Sequence, residues 1–316
     1  MKVYVTQGHE KGVGLEVFFK SCLMMNKSDL KMIQLIAFHD SVSAVLKKMK
    51  VPFKISKEFI FLGYQKISTL WLNKTEFSES YTSLLRGMEL SEKGGILFTL
   101  PTSKDQFPGF PGHTEFFRSY YNRPELVMFF SSPQLKVLLL SDHIAIKDIS
   151  ETLTDQIILK RLDGAIASLA QMKFPIHNIL ISGFNPHAGE KGLIGKEDKR
   201  IESVIKSLTD KYKFNISGPY PGDTMIMEKK YLNDLLVYVF HDQGLGVFKS
   251  LQGLIGSNIT LGLPYPRFSP DHGTSFNLFG KNLADYRGCA FSLNEALSIL
   301  VRVVHGKNSG FKSKCS

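Results

Sequence analysis

Residues 240–274 read FHDQGLGVFKSLQGLIGSNITLGLPYPRFSPDHGT, and the way the chain enters this stretch decides the fold. The apolar run 235–240 predicts a buried strand that delivers His241 and Asp242 at its carboxyl end. In open α/β sheets that end is where ligands bind. Lys249, Asn258 and Arg267 follow, an ammonium, an amide and a guanidinium suited to the oxygens of a small phosphate ester. Asp271 and His272 add a second carboxylate–imidazole pair, and Pro264 and Pro266 stiffen the approach to Arg267. Each of these residues alone reads as a solvated surface charge or a plain strand end; their clustering argues for a site.

Upstream, strand and helix patterns alternate. Strands are predicted at 2–6, 32–38, near Trp71, and at 95–100, 126–130, 135–140 and 178–182. Helices are predicted at 15–25, 42–49, around 81–88, from 113, and at 154–172, 197–212 and 293–305, with Thr114 as a helix cap. Residues 218–223 read as a proline-rich loop. The alternation predicts an α/β protein with a mostly parallel sheet and helices on its faces. The segment 107–112, FPGFPG, reads as a hinge. It separates a discontinuous first domain, 1–108 with 246–316, from a second, 109–245.

The chain has 316 residues, 43% of them hydrophobic, ample for a packed core. Lys and Arg outnumber Asp and Glu by 39 to 29, but the cations are scattered, which argues against a nucleic-acid binder and suits anionic small molecules. Three cysteines at unrelated spacings fit a reducing compartment. The N-terminus does not read as a signal peptide, no apolar run reaches membrane-spanning length, and a cytoplasmic protein is expected. The basic tail, 306–316, is expected to fray.

Three of the nine histidines, His143, His187 and His241, each fall just past a predicted buried strand. A parallel sheet brings such ends to one edge, so the three can converge on Zn²⁺ or another borderline divalent ion, or remain ordinary strand-end histidines. Asp142 and Asp242 stand beside two of them as ligands or as supports. Lys104 leaves the strand at 95–100, and Lys104 or Asp242 is a candidate to assist proton removal. His39, His177 and His305 lack matching neighbours and read as structural.

Taken together, several motifs resemble one family, the 4-hydroxythreonine-4-phosphate dehydrogenases of vitamin B6 biosynthesis, similar in fold to isocitrate and isopropylmalate dehydrogenases. They are 112–117 (GHTEFF), the strand leading to His143, 185–190 (NPHAGE), Gly218-Pro219 with Asp223-Thr224, 241–245 (HDQGL) and 258–274, together covering most of 95–290. The resemblance implies two α/β domains flanking an active-site cleft. It implies a divalent metal (Zn²⁺, or Mg²⁺, Co²⁺ or Mn²⁺) bound by His143, His187 and His241 and shared across a homodimer, with NAD or NADP as hydride acceptor. It also implies that His113, Thr114, Lys249, Asn258 and Arg267 bind a phosphorylated substrate, whose secondary alcohol is oxidised before decarboxylation. A paralogue acting on another four-carbon acid-sugar phosphate or a dihydrodiol, or a silent ligand-binding member, are the alternatives. The first hundred residues depart from the family pattern: Gln7, His9, Glu10 and Leu15 stand where proline or an acid is usual, 100–104 reads LPTSK, and Gly246 replaces a proline.

Overall fold

The structure is a computed structural model that describes residues 1–107, 109–110, 112–213 and 215–308. In chain order its strands are β1 (Lys2–Thr6), β2 (Ile33–Ala37), β3 (Phe53–Ile55), β4 (Phe59–Leu62), β5 (Gln65–Trp71), β6 (Gly95–Thr99), β7 (Val127–Ser131), β8 (Lys136–Leu139), β9 (Asn178–Ser182), β10 (Asn215–Tyr220), β11 (Leu235–Tyr238), β12 (Ser257–Leu261) and β13 (Arg267–Pro270). The α-helices are α1 (Gly14–Met24), α2 (Lys27–Leu30), α3 (His39–Met49), α4 (Glu79–Glu92), α5 (His113–Tyr120), α6 (Ile146–Thr152), α7 (Asp155–Gln171), α8 (Asp198–Lys211), α9 (His241–Gln252) and α10 (Arg287–Asn308).

Two compact units result, one from Met1–Phe116, Gln171–Lys173 and Pro264–Ser316, the other from Phe117–Ala170 and Phe174–Leu263. In the first, β13, β6, β1, β2 and β5 run parallel in that order, and β4 and β3 extend the sheet antiparallel. Buried Val3, Val5, Ile33, Leu35 and all of β6 give these strands the continuous apolar character of a parallel sheet covered by helices, here α1, α4 and α10. In the second, β10, β9, β11 and β8 are parallel, and β7 and β12 complete the sheet antiparallel. Its core sets Phe130, Val137, Leu139, Leu180, Leu236, Tyr238 and Phe248 together.

The α/β alternation is as the periodicity predicts, and several local features differ. Residues 246–263, drawn with the first domain from sequence, supply part of α9 and all of β12 in the second unit, because β12 pairs with β7 from Ser257↔Ser131 to Leu261↔Val127. Thr114 is not a cap: α5 begins at His113, and Thr114 is buried in its first turn. Residues 218–220 are not loop but the end of β10, joined to β9 at Tyr220↔Ser182. The β3–β4 hairpin is too short for its period-2 pattern to stand out. Positions 108 and 111 of the expected hinge, and 309–316 of the tail expected to fray, lie outside the described residues. Among the described residues, no helix is long and apolar enough to cross a membrane.

The turn after β1 sets the shape of the first unit's strand-end edge. Gly8 has φ +71°, and a Cβ there would lie 2.5 Å from the Pro101 carbonyl oxygen, where the His9 amide already donates at 3.0 Å. The Gly8→Ala variant is expected to lose about 2–3 kcal/mol of stability, read as a lower urea midpoint at unchanged m-value. An unchanged midpoint would show that the two strand ends are not held together in this way.

Candidate active site

The second unit builds its edge from the ends of β8, β11 and β9. Beyond the last paired residues, the Leu140 amide donates to the Tyr238 carbonyl (2.8 Å) and the Ser141 amide to the Val239 carbonyl (2.9 Å). The two chains therefore leave the sheet side by side, and two residues further on they present His143 and His241, with ring centroids 5.8 Å apart. Gln243 ties in β9: its side-chain oxygen accepts from the Ser182 hydroxyl at 3.0 Å and the Val239 amide at 3.0 Å, and its amide nitrogen donates to the Gly183 carbonyl at 3.2 Å.

The two neighbouring carboxylates have different tasks. Asp142 is not directed at an ion: both its oxygens accept from Arg118, at 3.0 and 2.7 Å, and the Arg118 guanidinium also donates to the Leu126 carbonyl at 2.7 Å. Burial pushes the Asp142 pKa up, and the Arg118 pair outweighs that and holds it below the usual carboxylate range. Asp242 is exposed, and its Oδ1 lies 2.7 Å from His241 Nδ1. A proton on that Nδ1 satisfies the carboxylate and leaves the Nε2 lone pair for an electrophile, as in the carboxylate–histidine pairs that support metal ligands.

His187 is delivered by an unusual turn. Residues 187–191 all have positive φ, from 43° to 73°, a left-handed run that costs energy at each non-glycine position. Buried Asp198, at the start of α8, holds it: Oδ1 accepts from the Phe184 amide at 2.7 Å and Oδ2 from the Asn185 side-chain amide at 2.8 Å. A Cβ on Gly189 would lie 2.6 Å from that carboxylate, so glycine is required for space as well as for handedness.

His143, His187 and His241 suit a borderline divalent ion by donor chemistry, and His143 and His241 approach each other as such a site needs. His187 does not complete a set. Among the described residues of one chain, no group of three or more His, Cys, Asp or Glu side chains is gathered closely enough to hold an ion. Of the expected trio, His143 and His241 are neighbours, and His187 is not gathered with them. In the same unit Lys249 is exposed on α9 and Asn258 is half-buried in β12, opposite Phe130.

The first unit carries the remaining candidates. Arg267, in β13 beside β6, is buried rather than solvated, and its Nε and Nη2 donate to the Thr99 hydroxyl at 3.0 and 2.6 Å. Burial lowers its pKa to about 10, which leaves it charged near neutrality. Desolvation and the nearby Arg267 guanidinium hold the His113 imidazole well below its usual range, hence neutral, and its ring packs on Phe107 at 4.7 Å. A buried cation near a neutral imidazole is an arrangement for binding an anion and a hydroxyl. Lys104 opens a short 3₁₀ turn after β6 and is exposed.

Arg118, Asp198, Gln243 and Thr99 were missed from sequence because their roles are to hold other residues across gaps of 24, 14, 61 and 168 positions. The divergent Gln7 has such a role too. Fully buried, its Oε1 accepts from the Phe38 amide at 2.7 Å and its Nε2 donates to Glu79 at 2.5 Å, joining the ends of β1, β2 and α4.

The model of the family described as pyridoxal phosphate biosynthetic protein PdxA matches residues 65–299. A 4-hydroxythreonine-4-phosphate dehydrogenase of Zymomonas mobilis is 31% identical over 303 residues, covering 89% of this chain and 90% of its own length. A protein of Oceanobacillus iheyensis named putative D-threonate 4-phosphate dehydrogenase is 29% identical over 323 residues, covering 93% and 96%. The crystal structure of a 4-hydroxythreonine-4-phosphate dehydrogenase from Burkholderia phymatum superposes with a TM-score of 0.77 at 27% identity, covering 94% of this chain and 97% of that one. The family match begins downstream of the loop at 7–15, where the sequence departs from the family pattern.

Two outcomes follow from this geometry. Breaking the buried pair through Asp142→Asn or Arg118→Met should each cost about 3–5 kcal/mol in denaturant unfolding, and the double variant should lose less than the sum of the two. Because the unfolded chain protonates His113 near pH 6.5 and the folded chain resists it, stability should fall as pH drops below about 6.5. Melting temperature measured down to about pH 5 should decline less steeply in His113→Gln than in the unaltered protein.

Proposed function

Because the chain belongs to the family of the pyridoxal phosphate biosynthetic protein PdxA, we propose that it is a metal-dependent, NAD- or NADP-linked dehydrogenase of a phosphorylated four-carbon hydroxy acid. The first candidate substrate is 4-hydroxy-L-threonine phosphate, in cytoplasmic pyridoxal phosphate synthesis. What carries this reading is that every candidate site residue, from Lys104 to Arg267, falls within the stretch the family model matches. The relatives named for this reaction support it.

Arg267 and Lys249, with the Asn258 amide, hold the phosphate, and His113 and Thr114 hold the rest of the substrate. Arg267 suits this because its guanidinium is charged yet already desolvated, so an anion meets a cation stripped of water. His143, His187 and His241 hold the metal, which when bound supplies Lewis-acid polarisation of the alcohol oxygen. The neighbouring His143 and His241 rings support their share in the metal site, and in this reading the set is shared across a homodimer. Asp242 fixes the tautomer of His241, and Lys104 or Asp242 takes the hydroxyl proton. A bound nicotinamide would accept the hydride, and a carboxylate β to the new ketone would leave as CO₂, its bonding pair passing into the ketone as an enolate that then takes up a proton.

A second reading, D-threonate 4-phosphate as substrate, is favoured by the Oceanobacillus relative, which aligns over nearly its whole length. The two substrates differ in an amine against a hydroxyl beside the reacting carbon. Nicotinamide reduction with each compound, with NAD and NADP, decides between them. Turnover is expected to stop on chelation and return with Zn²⁺, Mn²⁺, Mg²⁺ or Co²⁺; full activity in metal-free protein would overturn the mechanism. Lys249→Met should raise KM for the phosphorylated substrate about ten- to a hundredfold while changing kcat little.

A further inference from the structure

One cavity of the first unit is lined by none of the candidate site residues assigned above. It has a volume of about 940 Å³, within the range of small-ligand pockets. Lys2, Lys27, Lys31, Lys57 and Lys66 line it, against one acid, Glu58. Among the described residues none of the five ammonium groups forms an ion pair with a carboxylate. Uncompensated like charge around one concavity raises its own energy and favours an anion that enters it.

Its lysines, though not Trp71 at the end of β5, lie apart from the proposed chemistry. Lys2 is the first residue of β1, Lys31 precedes β2 and Lys66 is the second residue of β5, so the charge gathers at the amino ends of three parallel strands. The proposed substrate residues of this unit follow the opposite ends. Four of the five lysines also precede the stretch matched by the family model, which starts at residue 65.

The remaining wall is aromatic. Trp71 is held by an indole N–H donated to the Ser56 carbonyl at 3.0 Å and by the edge of His39 at 5.4 Å. Phe59 has Lys66 Nζ 3.8 Å above its ring, and Tyr64 is exposed at the rim. Rigid ring faces interleaved with ammonium groups suit a planar base that carries several negative charges. The concavity is partly open and of small-ligand size, which suits one small molecule.

We propose that this cavity binds a nucleoside di- or triphosphate as an effector, with the phosphates among the lysines and the base against Trp71 and Phe59. The inference does not rest on the dehydrogenase reading. Trp71 is the chain's single tryptophan, so its fluorescence reports on this site alone. Titration with ATP is expected to quench or shift the emission saturably, and Lys31→Glu/Lys66→Glu, both exposed positions, should weaken binding about tenfold or more with an unchanged melting temperature. Trp71→Phe, followed by calorimetry, should retain the binding heat. No saturable change with ATP at millimolar concentration, in fluorescence or in calorimetry, overturns the proposal. So does equal affinity for inorganic tripolyphosphate, which lacks the base, or tighter binding of oligo(dT) than of ATP.

Discussion

A single largely buried ion pair fixes the strand-end edge of the second unit that presents His143. Arg118 reaches from α5 to Asp142 through two short hydrogen bonds and takes the Leu126 carbonyl with a third. Asp142 is the residue before His143, so the imidazole leaves a backbone that a bidentate pair has already oriented. Isolated in a buried setting, either charge would be costly; together, with each oxygen of the carboxylate occupied, they set position more than they add stability. The ring of His241 is placed by a different device, the continued hydrogen bonding of 140–141 with 238–239, and its tautomer by Asp242.

Several departures from the family pattern lie in the amino-terminal loop, and they are structurally committed. Gln7 joins three elements through its side chain, Leu15 is buried in α1, and the His9 ring packs against Phe276 at 4.8 Å. A proline in place of Gln7 would keep no side-chain amide for Phe38 or Glu79 to meet. The loop is therefore rebuilt as a packed unit, and its difference from relatives bears on what this side of the protein recognises.

Much of this was legible in the sequence. The runs 178–182 and 235–240 declared themselves by apolar character, because strands covered on both faces need it, and the histidines after them were placed by the rule that parallel strands end on one edge. The helix from His241 was obscured by Gly244 and Gly246, which lower helical propensity in its first two turns. Arg267 looked like a solvated charge, because nothing local discloses that Thr99 waits for it 168 residues upstream. The supporting layer of Arg118, Asp198 and Gln243 was silent for the same reason: each acts on a partner that only the tertiary fold brings near.

The reversed handedness of 187–191 carries a consequence of its own. The Asp198 carboxylate, rooted in α8, holds Phe184 and Asn185 just before the run and lies close against Gly189 within it. His187 consequently inherits the positional accuracy of a fourteen-residue helix although it sits on a surface turn. Displacing α8 along its axis would carry that imidazole with it, so the helix is a lever on the third ring.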